Sequence, residues 1–226
     1  RNSKREGCLV KNYKKNLKIL QDNHIYSKQM EHDACGVGLI ASTEGKKSRK
    51  VVEYGINALK AVFHRGAVDA DGKTGDGAGI HLEIPSDFFT EKIEITGHKH
   101  DGSDICVGMI FLPRNNYEAQ ENARTLVESE LTKSNFNIYG WRQVPVNTKV
   151  LGEKANFTRP EITQVLFTNN NKSLRGKDLE RKLYESRRKI EKEVIKNAID
   201  GFYICSLSSK SIIYKGMFLA ESIAEF

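Results

Sequence analysis

The spacing of apolar residues predicts three amphipathic helices. The first runs from Lys50 to His64, and its apolar positions share one face that should pack on a sheet. These positions are Val52, Ile56, Leu59 and Phe63. The second covers residues 115–132, with Ala123, Leu126, Val127 and Leu131 on its buried face. The third, residues 175–198, has the strongest pattern: Leu179, Leu183, Ile190 and Val194 form a seam opposite Arg181, Glu185, Arg188 and Lys192. This seam is too short for a coiled coil and favours docking on a sheet.

Shorter apolar runs predict strands. They are Gly36 to Ala41, Ile80 to Ile84, Ile105 to Leu112, Phe136 to Val146, Ile162 to Phe167, Phe202 to Leu207 and Ser211 to Tyr214. We expect the last two to form a β-hairpin around residues 208–210. A glycine-dense polar loop occupies residues 69–79, and Gly66 is a candidate cap for the first helix. An irregular stretch containing Gly152 and Pro160 joins two of the strands.

Residues 1–34 have little apolar pattern. Leu17 and Leu20 are spaced to share a helical face, whereas Ile19 points elsewhere. This is too little to bury, so we interpret the segment as a leader or pro-segment with at most one short helix. The chain is long enough for one substantial domain, or at most two small ones, and we expect residues 35–226 to belong to one domain. Because the chain ends within an apolar stretch, Met217 to Phe226, we expect it to be cut from a larger protein.

Composition narrows the class of protein. No apolar run approaches the roughly 18 to 20 residues that span a bilayer, and the charged N-terminus lacks the apolar segment of a secretory signal. We therefore expect no membrane contact and a cytoplasmic location. The four cysteines are scattered without metal-ligand spacing, so we expect free thiols and no metal site in this segment.

The net charge of +7 raises the question of nucleic-acid binding. Much of the excess comes from residues 1–34 and from the third helix, where basic residues alternate with glutamate. Mixed charge on a helix is typical of a solvated face, and no stretch interleaves basic and aromatic residues as a stacking platform would. The sequence therefore does not favour a nucleic-acid partner.

Cys35 is the main candidate for chemistry. It lies between the leader and the first glycine-rich apolar run, where a proteolytic cut would give one residue both a thiol and a free α-amino group. An amine beside a thiol supplies the nucleophile with its own base. The alternative is structural, because an isolated cysteine before a strand is often a small core residue.

Several motifs together carry a resemblance to a known family. The loop of residues 69–79 matches neither a P-loop nor a dinucleotide fingerprint. The motifs are Cys35–Ala41, Phe63–Ala67, Asp71–Gly79, Val150–Glu153, Arg187–Lys192 and Phe202–Ser208. Together they closely resemble the amino-terminal glutaminase domain of the glutamate synthase large subunit, a class II glutamine amidotransferase. The Asp71–Gly77 stretch separates this group from other class II amidotransferases better than the cysteine does.

The resemblance implies a fold and a site. The fold would be α+β, a four-layer αββα sandwich of the N-terminal nucleophile hydrolase type, incomplete at the C-terminus. Residues 1–34 would be a propeptide, and Cys35 would be the first residue of the mature enzyme and its nucleophile. Arg65 would hold the geometry of the site and favour the thiolate, although an arginine at a helix C-terminus also has a purely structural explanation. We treat His64 as structural.

The resemblance also sets expectations for what surrounds this segment. The family's oxyanion hole and glutamine-binding residues have no match here, so we expect the segment to be inactive alone. FMN and an iron–sulfur cluster are implied for the full-length enzyme, with no cofactor in this segment. Glutamine and the downstream domains of the subunit are the implied partners. Whether a small subunit is also a partner is left open by the resemblance. The alternatives are another class II amidotransferase and a non-catalytic scaffold of the same fold.

Overall fold

The computed structural model describes residues 15–19, 21–23, 35–63 and 66–226. The chain divides into two compact units, Arg1–Cys35 and Gly36–Phe226. In the first unit, residues 15–19 and 21–23 are helical, in agreement with the short helix predicted there. Leu17 is half-buried and Ile19 is exposed, as their positions on a helix predict.

The second unit contains five α-helices and six strands among its described residues. The helices are α1 Arg49–Ala61, α2 Ser86–Ile95, α3 Tyr117–Lys133, α4 Glu153–Thr158 and α5 Gly176–Lys196. The strands are β1 Ala78–Glu83, β2 Ile105–Leu112, β3 Phe136–Gln143, β4 Glu161–Asn169, β5 Tyr203–Ser208 and β6 Ser211–Gly216. The described residues of this unit also include two short 3₁₀ helices, Thr148–Val150 and Ala220–Ala224. Helices and antiparallel sheets combine in an α+β arrangement.

Four strands form one antiparallel sheet in the order β3-β4-β2-β5. The helices α3 and α5 pack on one face of this sheet, and their apolar seams form a core with it. All four seam residues of α5 are buried, as predicted: Leu179, Leu183, Ile190 and Val194. The polar residues predicted opposite them are exposed, and the seam packs in one core with the sheet and with α3.

The other two strands, β1 and β6, pair antiparallel in a second sheet. A second apolar cluster joins this sheet and α2 to the four-stranded sheet. Ile212 of β6, Phe89 of α2 and Met109 of β2 are all buried in this cluster. The α1 helix contacts β1, where Gly55 approaches the side chain of Ile80.

The predicted β-hairpin at the end of the chain is wrong. The two strands form within a residue or two of their predicted bounds, but β5 pairs with β2 while β6 pairs with β1. The turn between them is a corner from one sheet to the other. The carboxylate of Glu180 holds this corner by accepting hydrogen bonds from the hydroxyls of Ser208 and Ser209, over 2.9 and 2.7 Å.

Three further predictions are wrong. Residues 36–41 form no strand; the side chains of Val37 and Leu39 are 90% and 89% exposed, so nothing buries the short apolar run that predicted one. Gly66 does not cap α1, because the helix ends at Ala61 and Val62 is its C-cap. Gly66 has no positive φ, the conformation that makes glycine favourable as a cap. Phe63, predicted on the buried face, lies beyond the helix and is mostly exposed.

Two helices were not predicted. The α2 helix follows Pro85 and buries only Phe89 and Ile93, a pattern too short to stand out from its surroundings. The α4 helix is six residues long and lies in the stretch expected to be irregular. In the part of the chain that the structure describes, no helix has the length and apolar character needed to cross a membrane.

Candidate active site

The predicted nucleophile is an accessible thiol. Cys35 is exposed and forms no disulfide, whereas Cys106 and Cys205, the other described cysteines, are buried. The alternative interpretation of Cys35 as a small core residue therefore does not hold in this structure. Arg65 and His64 lie outside the described residues, so the roles given to them stay predictions.

The residues after Arg65 form a small hairpin, here called the loop hairpin and defined as residues 67–76. The amide of Asp69 donates to the carbonyl oxygen of Thr74 over 2.8 Å, and the amide of Asp76 donates to that of Ala67 over 3.3 Å. These bonds close the loop so that its two ends meet. As a result Gly66 lies beside Asp76: a Cβ atom at Gly66 would be 3.5 Å from Oδ1 of Asp76.

Asp71 organises the tip of the loop hairpin. Its carboxylate accepts hydrogen bonds from the Thr74 hydroxyl over 2.5 Å, the Thr74 amide over 2.7 Å and the Lys73 amide over 3.0 Å. These hydrogen bonds hold the pKa of Asp71 well below its ordinary value, and the bond from the Thr74 hydroxyl has the largest effect. Gly72 completes the turn with a φ of 70°, which glycine adopts without strain.

The loop hairpin docks on α4 through Thr74. The Thr74 side chain is buried, and its hydroxyl oxygen accepts a hydrogen bond from the amide of Ala155 over 3.3 Å. Gly152, directly before α4, lies so close that a Cβ atom there would collide with the side chains of both Asp71 and Thr74. The close contact with the loop hairpin therefore explains why the Val150–Glu153 motif has a glycine at position 152.

An ion pair supports the same contact. Nζ of Lys154 lies 2.7 Å from Oδ2 of Asp69. The hydrogen bond between the two groups lowers the pKa of Asp69 and raises that of Lys154, so both stay charged near neutral pH. The Lys154 side chain is largely exposed and that of Asp69 is partly exposed, so this pair orients the loop hairpin more than it stabilises the fold.

The loop hairpin leads into one wall of a cleft of about 630 Å³. Asp76 and Gly77 line the cleft where the loop hairpin meets β1, and Phe218 lines it from the other side. Gly75 lies directly against the backbone at Phe218, since a Cβ atom at Gly75 would be 2.7 Å from that carbonyl oxygen. The rest of the lining is mainly apolar, with Arg159 and Lys215 as its basic side chains.

The sequence analysis used the glycine loop as one of the motifs that carry the resemblance, but it did not predict what the loop contacts. Thr74, Gly152 and Ala155 received no role, although Gly152 belongs to a motif that carried the resemblance. The sequence offered two glycine-containing motifs without an assigned function, the glycine loop and Val150–Glu153. It could not reveal that these two motifs contact each other. Among the described residues, no group of three or more histidine, cysteine or acidic side chains could hold a metal ion.

Comparison with known proteins places the chain in a family. The family model described as glutamine amidotransferases class-II matches residues 35–226. The glutamate synthase (NADPH) large chain of Azospirillum brasilense is 53% identical over 217 residues, covering 96% of this chain and 14% of that protein. The ferredoxin-dependent glutamate synthase of Pyropia yezoensis is 37% identical, covering 92% of this chain and 14% of that protein.

A third relative extends the same pattern to plants. The chloroplastic/mitochondrial ferredoxin-dependent glutamate synthase 1 of Arabidopsis thaliana is 39% identical, covering 87% of this chain and 12% of that protein. The chain therefore spans about one seventh of the length of these relatives or somewhat less. The family match accounts for all of the second unit, and on that basis the chain belongs to the class II glutamine amidotransferases.

Proposed function

We propose that this chain is the glutaminase part of a glutamate synthase large subunit, which hydrolyses glutamine and supplies ammonia for glutamate formation from 2-oxoglutarate. The observation that supports this best is that the family match begins at residue 35, the exposed cysteine. Residues 1–34 would be a propeptide, and removing them would give Cys35 a free α-amino group. While residue 34 is still attached, that amine is an amide and cannot act as a base.

The reaction would run through a thioester. The α-amino group, with an ordinary pKa of about 7.7 to 8.0, takes the thiol proton, and the thiolate attacks the side-chain amide carbon of glutamine. A carbon–sulfur bond forms, the carbon–nitrogen bond breaks, and the leaving nitrogen takes a proton and departs as ammonia. Water then attacks the thioester carbon, which releases glutamate and restores the Cys35 thiol.

Arg65 would support this chemistry with a fixed positive charge. A guanidinium is protonated at any working pH, and a cation near a thiol favours the thiolate. The residues that stabilise the oxyanion and grip glutamine have no matching motif here, so we predict that the 226 residues alone do not turn over glutamine. Loss of a single oxyanion donor costs about 100- to 1000-fold in other enzymes.

The finer fold is also part of the proposal. We infer a four-layer αββα sandwich, with α1 outside the β1–β6 sheet and α3 and α5 outside the four-stranded sheet. The two apolar clusters and the contacts between α1 and β1 support this order of layers. A cytoplasmic location is proposed as well, although the Arabidopsis relative is named as chloroplastic/mitochondrial.

The complete enzyme would carry FMN and an iron–sulfur cluster, as the resemblance implies. The described cysteines do not fit a cluster: Cys106 and Cys205 are buried apart in different apolar clusters, and Cys35 belongs to neither. No step proposed for this chain uses either group. The downstream domains would receive the ammonia. A small glutamate synthase subunit is a further candidate partner.

The experiment is covalent labelling of the full-length enzyme with 6-diazo-5-oxo-L-norleucine, an electrophilic glutamine analogue. We expect N-terminal sequencing to start at Cys35, peptide mapping to find one adduct on Cys35, and glutaminase activity to disappear with it. The Cys35→Ser variant should take no adduct and lose at least about a thousandfold in rate. A processed wild-type enzyme without an adduct would instead indicate a scaffold.

A further inference from the structure

We propose that the cleft of about 630 Å³ beside the loop hairpin is the docking site for the segment that directly follows residue 226 in the full-length enzyme. This segment fills the cleft with apolar side chains and brings a carboxylate to its basic side. The docking rests on the proposed function, which makes the chain one part of a longer subunit. Cys35 takes no part in it.

The cleft opens onto an apolar cluster that is small beside the other two. Three side chains of the described residues are buried in it, those of Leu151, Ala155 and Phe218. The two larger clusters bury 15 and 11 residues of the described chain. Ala78 and Phe226 pack against the small cluster but stay partly exposed, and both line the cleft. An open apolar wall of this kind is typical of a surface that another segment covers.

The position of Phe226 brings the residues that follow it to the cleft. Its ring centroid lies 5.0 Å from that of Phe218, within the cleft wall. The main-chain oxygen of Phe226 accepts a hydrogen bond from the amide of Asn147 over 2.6 Å, which fixes the direction of the chain. Because the chain covers 14% of the Azospirillum brasilense relative, an enzyme of that length has ample further residues to fill the cleft. Residue 227 would start at the cleft wall, so no linker is needed to reach it.

The cleft also lies along one end of the β1–β6 sheet. Ala78 begins β1 and Gly216 ends β6; the two residues pair, and both line the cleft. In the part of the chain that the structure describes, this sheet has two strands. A two-stranded sheet is marginally stable in water and depends on what packs against it. The docked segment would therefore stabilise this end of the sheet as well as fill the cleft.

Two basic side chains give the cleft a preference for a carboxylate. Arg159 donates from Nε to Oδ1 of Asn156 over 3.4 Å, and Lys215 donates from Nζ to the Tyr203 hydroxyl over 2.8 Å. Neither forms an ion pair with a described residue. Asp76 is the acidic side chain of the described lining, so positive charge is in excess there. A guanidinium can bind a carboxylate through two parallel hydrogen bonds, which favours Arg159 as the contact.

Photo-crosslinking in the full-length, processed enzyme tests the docking. The variant is Met217→p-benzoyl-L-phenylalanine, since Met217 lines the cleft and is 48% exposed, which leaves room for the benzophenone. We expect irradiation to join residue 217 to a peptide C-terminal to residue 226 of the same chain, identified by mass spectrometry. The same replacement at Tyr117, which is 78% exposed and lies outside the cleft lining, is the control and should not link to that peptide.

Two results would overturn the docking. One is a link to a second copy of the chain, which doubles the mass on a denaturing gel. The other is the absence of any link from residue 217 to a peptide after residue 226, which would leave the cleft to a small ligand or to solvent.

Arg159→Gln tests the carboxylate, because glutamine removes the charge and the fork of donors. We expect the yield of the crosslink from residue 217 to fall at least about threefold. The matched control is Arg181→Gln, which removes an exposed cation of α5 outside the cleft lining and should change the yield less than about 1.5-fold. Equal yields in the two variants would overturn the assignment of a carboxylate to Arg159.

Labelling of Cys35 separates the docking from the proposed function. Each crosslinking variant is also treated with 6-diazo-5-oxo-L-norleucine, which shows that its site is still formed. An enzyme that takes the adduct on Cys35 but gives no link from residue 217 would overturn the docking alone. An enzyme that gives the link but takes no adduct would overturn the glutaminase role and leave the docking in place.

Discussion

The guanidinium of Arg187 donates a hydrogen bond from Nη2 to the main-chain oxygen of Ile204 over 2.8 Å. This oxygen lies beside a β-bulge, since the pairing of β2 with β5 shifts register between Met109 and Ile110 and leaves Cys205 as the extra residue. Nε of the same guanidinium pairs with Glu191 over 2.8 Å. The Arg187–Lys192 motif thus joins α5 to the edge strand at the point where the ladder is irregular.

Arg187→Lys should destabilise the chain by about 1 to 2 kcal/mol, because an ammonium cannot bond the Ile204 oxygen and Glu191 in the planar fork of a guanidinium. The measurement is the free energy of unfolding in urea. Arg188→Lys is the matched control, since Arg188 also pairs with Glu191 but is more exposed. We expect a change of less than about 0.5 kcal/mol there. Equal effects in the two variants would contradict the role of the Ile204 bond.

Gly108→Ala should destabilise the chain, whereas Gly55→Ala should not. A Cβ atom at Gly108, in the central strand β2, would be 2.6 Å from Cγ1 of Val165 and 2.8 Å from Cδ1 of Leu207. This overpacking should cost about 1 to 3 kcal/mol. At Gly55 in α1 the nearest atom would be Cδ1 of Ile80 at 3.5 Å, an ordinary contact.

Because alanine is about 1 kcal/mol better than glycine inside a helix, Gly55→Ala should leave stability unchanged or raise it. Thermal unfolding of both variants beside the wild-type chain measures the difference. A Gly108→Ala chain with the Tm of wild type would show that β2 and its neighbours relax to accept the methyl group.

The parts of the fold that the sequence predicted are those decided within one element. All the apolar residues of the α5 seam lie within this one helix, so the buried face of α5 follows from helical spacing alone. The apolar runs at β5 and β6 likewise predict two strands. They do not tell which neighbour each strand bonds, and the hairpin prediction failed because Glu180, distant in sequence, holds the turn as a corner between sheets.

In the candidate site, too, the sequence predicted one part and missed another. Cys35 could be identified from its residue type and position, but the anchor of the loop hairpin could not. Thr74 and Ala155 are 81 positions apart, and no local pattern of apolar or polar residues signals a contact of that range. The strand expected at residues 36–41 failed for a related reason: β-branched residues favour a strand only where a partner strand and a buried face exist.

Acid should destabilise the folded chain through two carboxyls, that of Asp71 in the loop hairpin and that of Asp101 outside it. The pKa of Asp71 is held low by the Thr74 hydroxyl and by two amides, and the pKa of Asp101 is held low by the Ser103 hydroxyl and then by Lys172. In the unfolded chain both carboxyls titrate near about 3.9, so between that pH and their folded pKa values the unfolded state binds more protons.

Stability from these groups is therefore present above about pH 4 and is lost as the pH falls toward their folded pKa values. The measurement is the urea midpoint between about pH 2 and pH 7. Asp71→Asn should flatten the decline at the acidic end, and Asp71→Asn with Asp101→Asn should flatten it further, since the two sites share no partner. A midpoint that declines as steeply in the double variant as in wild type would exclude both carboxyls as the cause.

Thiol labelling should distinguish Cys35 from the buried cysteines of the second unit. Burial raises the pKa of the thiols of Cys106 and Cys205, so at pH 7 to 8 each is both shielded and protonated in the folded chain. Only the thiolate reacts with iodoacetamide. We expect Cys35 to be carbamidomethylated within minutes in native buffer, with Cys106 and Cys205 protected until urea unfolds the chain.

The readout is peptide mapping by mass spectrometry, and the control is a Cys8→Ser variant, which removes the one cysteine outside the described residues. Raising the pH toward about 9 should speed the reaction of unfolded Cys106 and Cys205 far more than that of the folded ones, because the unfolded thiols titrate near about 8.5. Native labelling of Cys205 as fast as that of Cys35 would mean that the corner between β5 and β6 opens on the timescale of the reaction, and that the hydrogen bonds from Ser208 and Ser209 to Glu180 do not hold it closed.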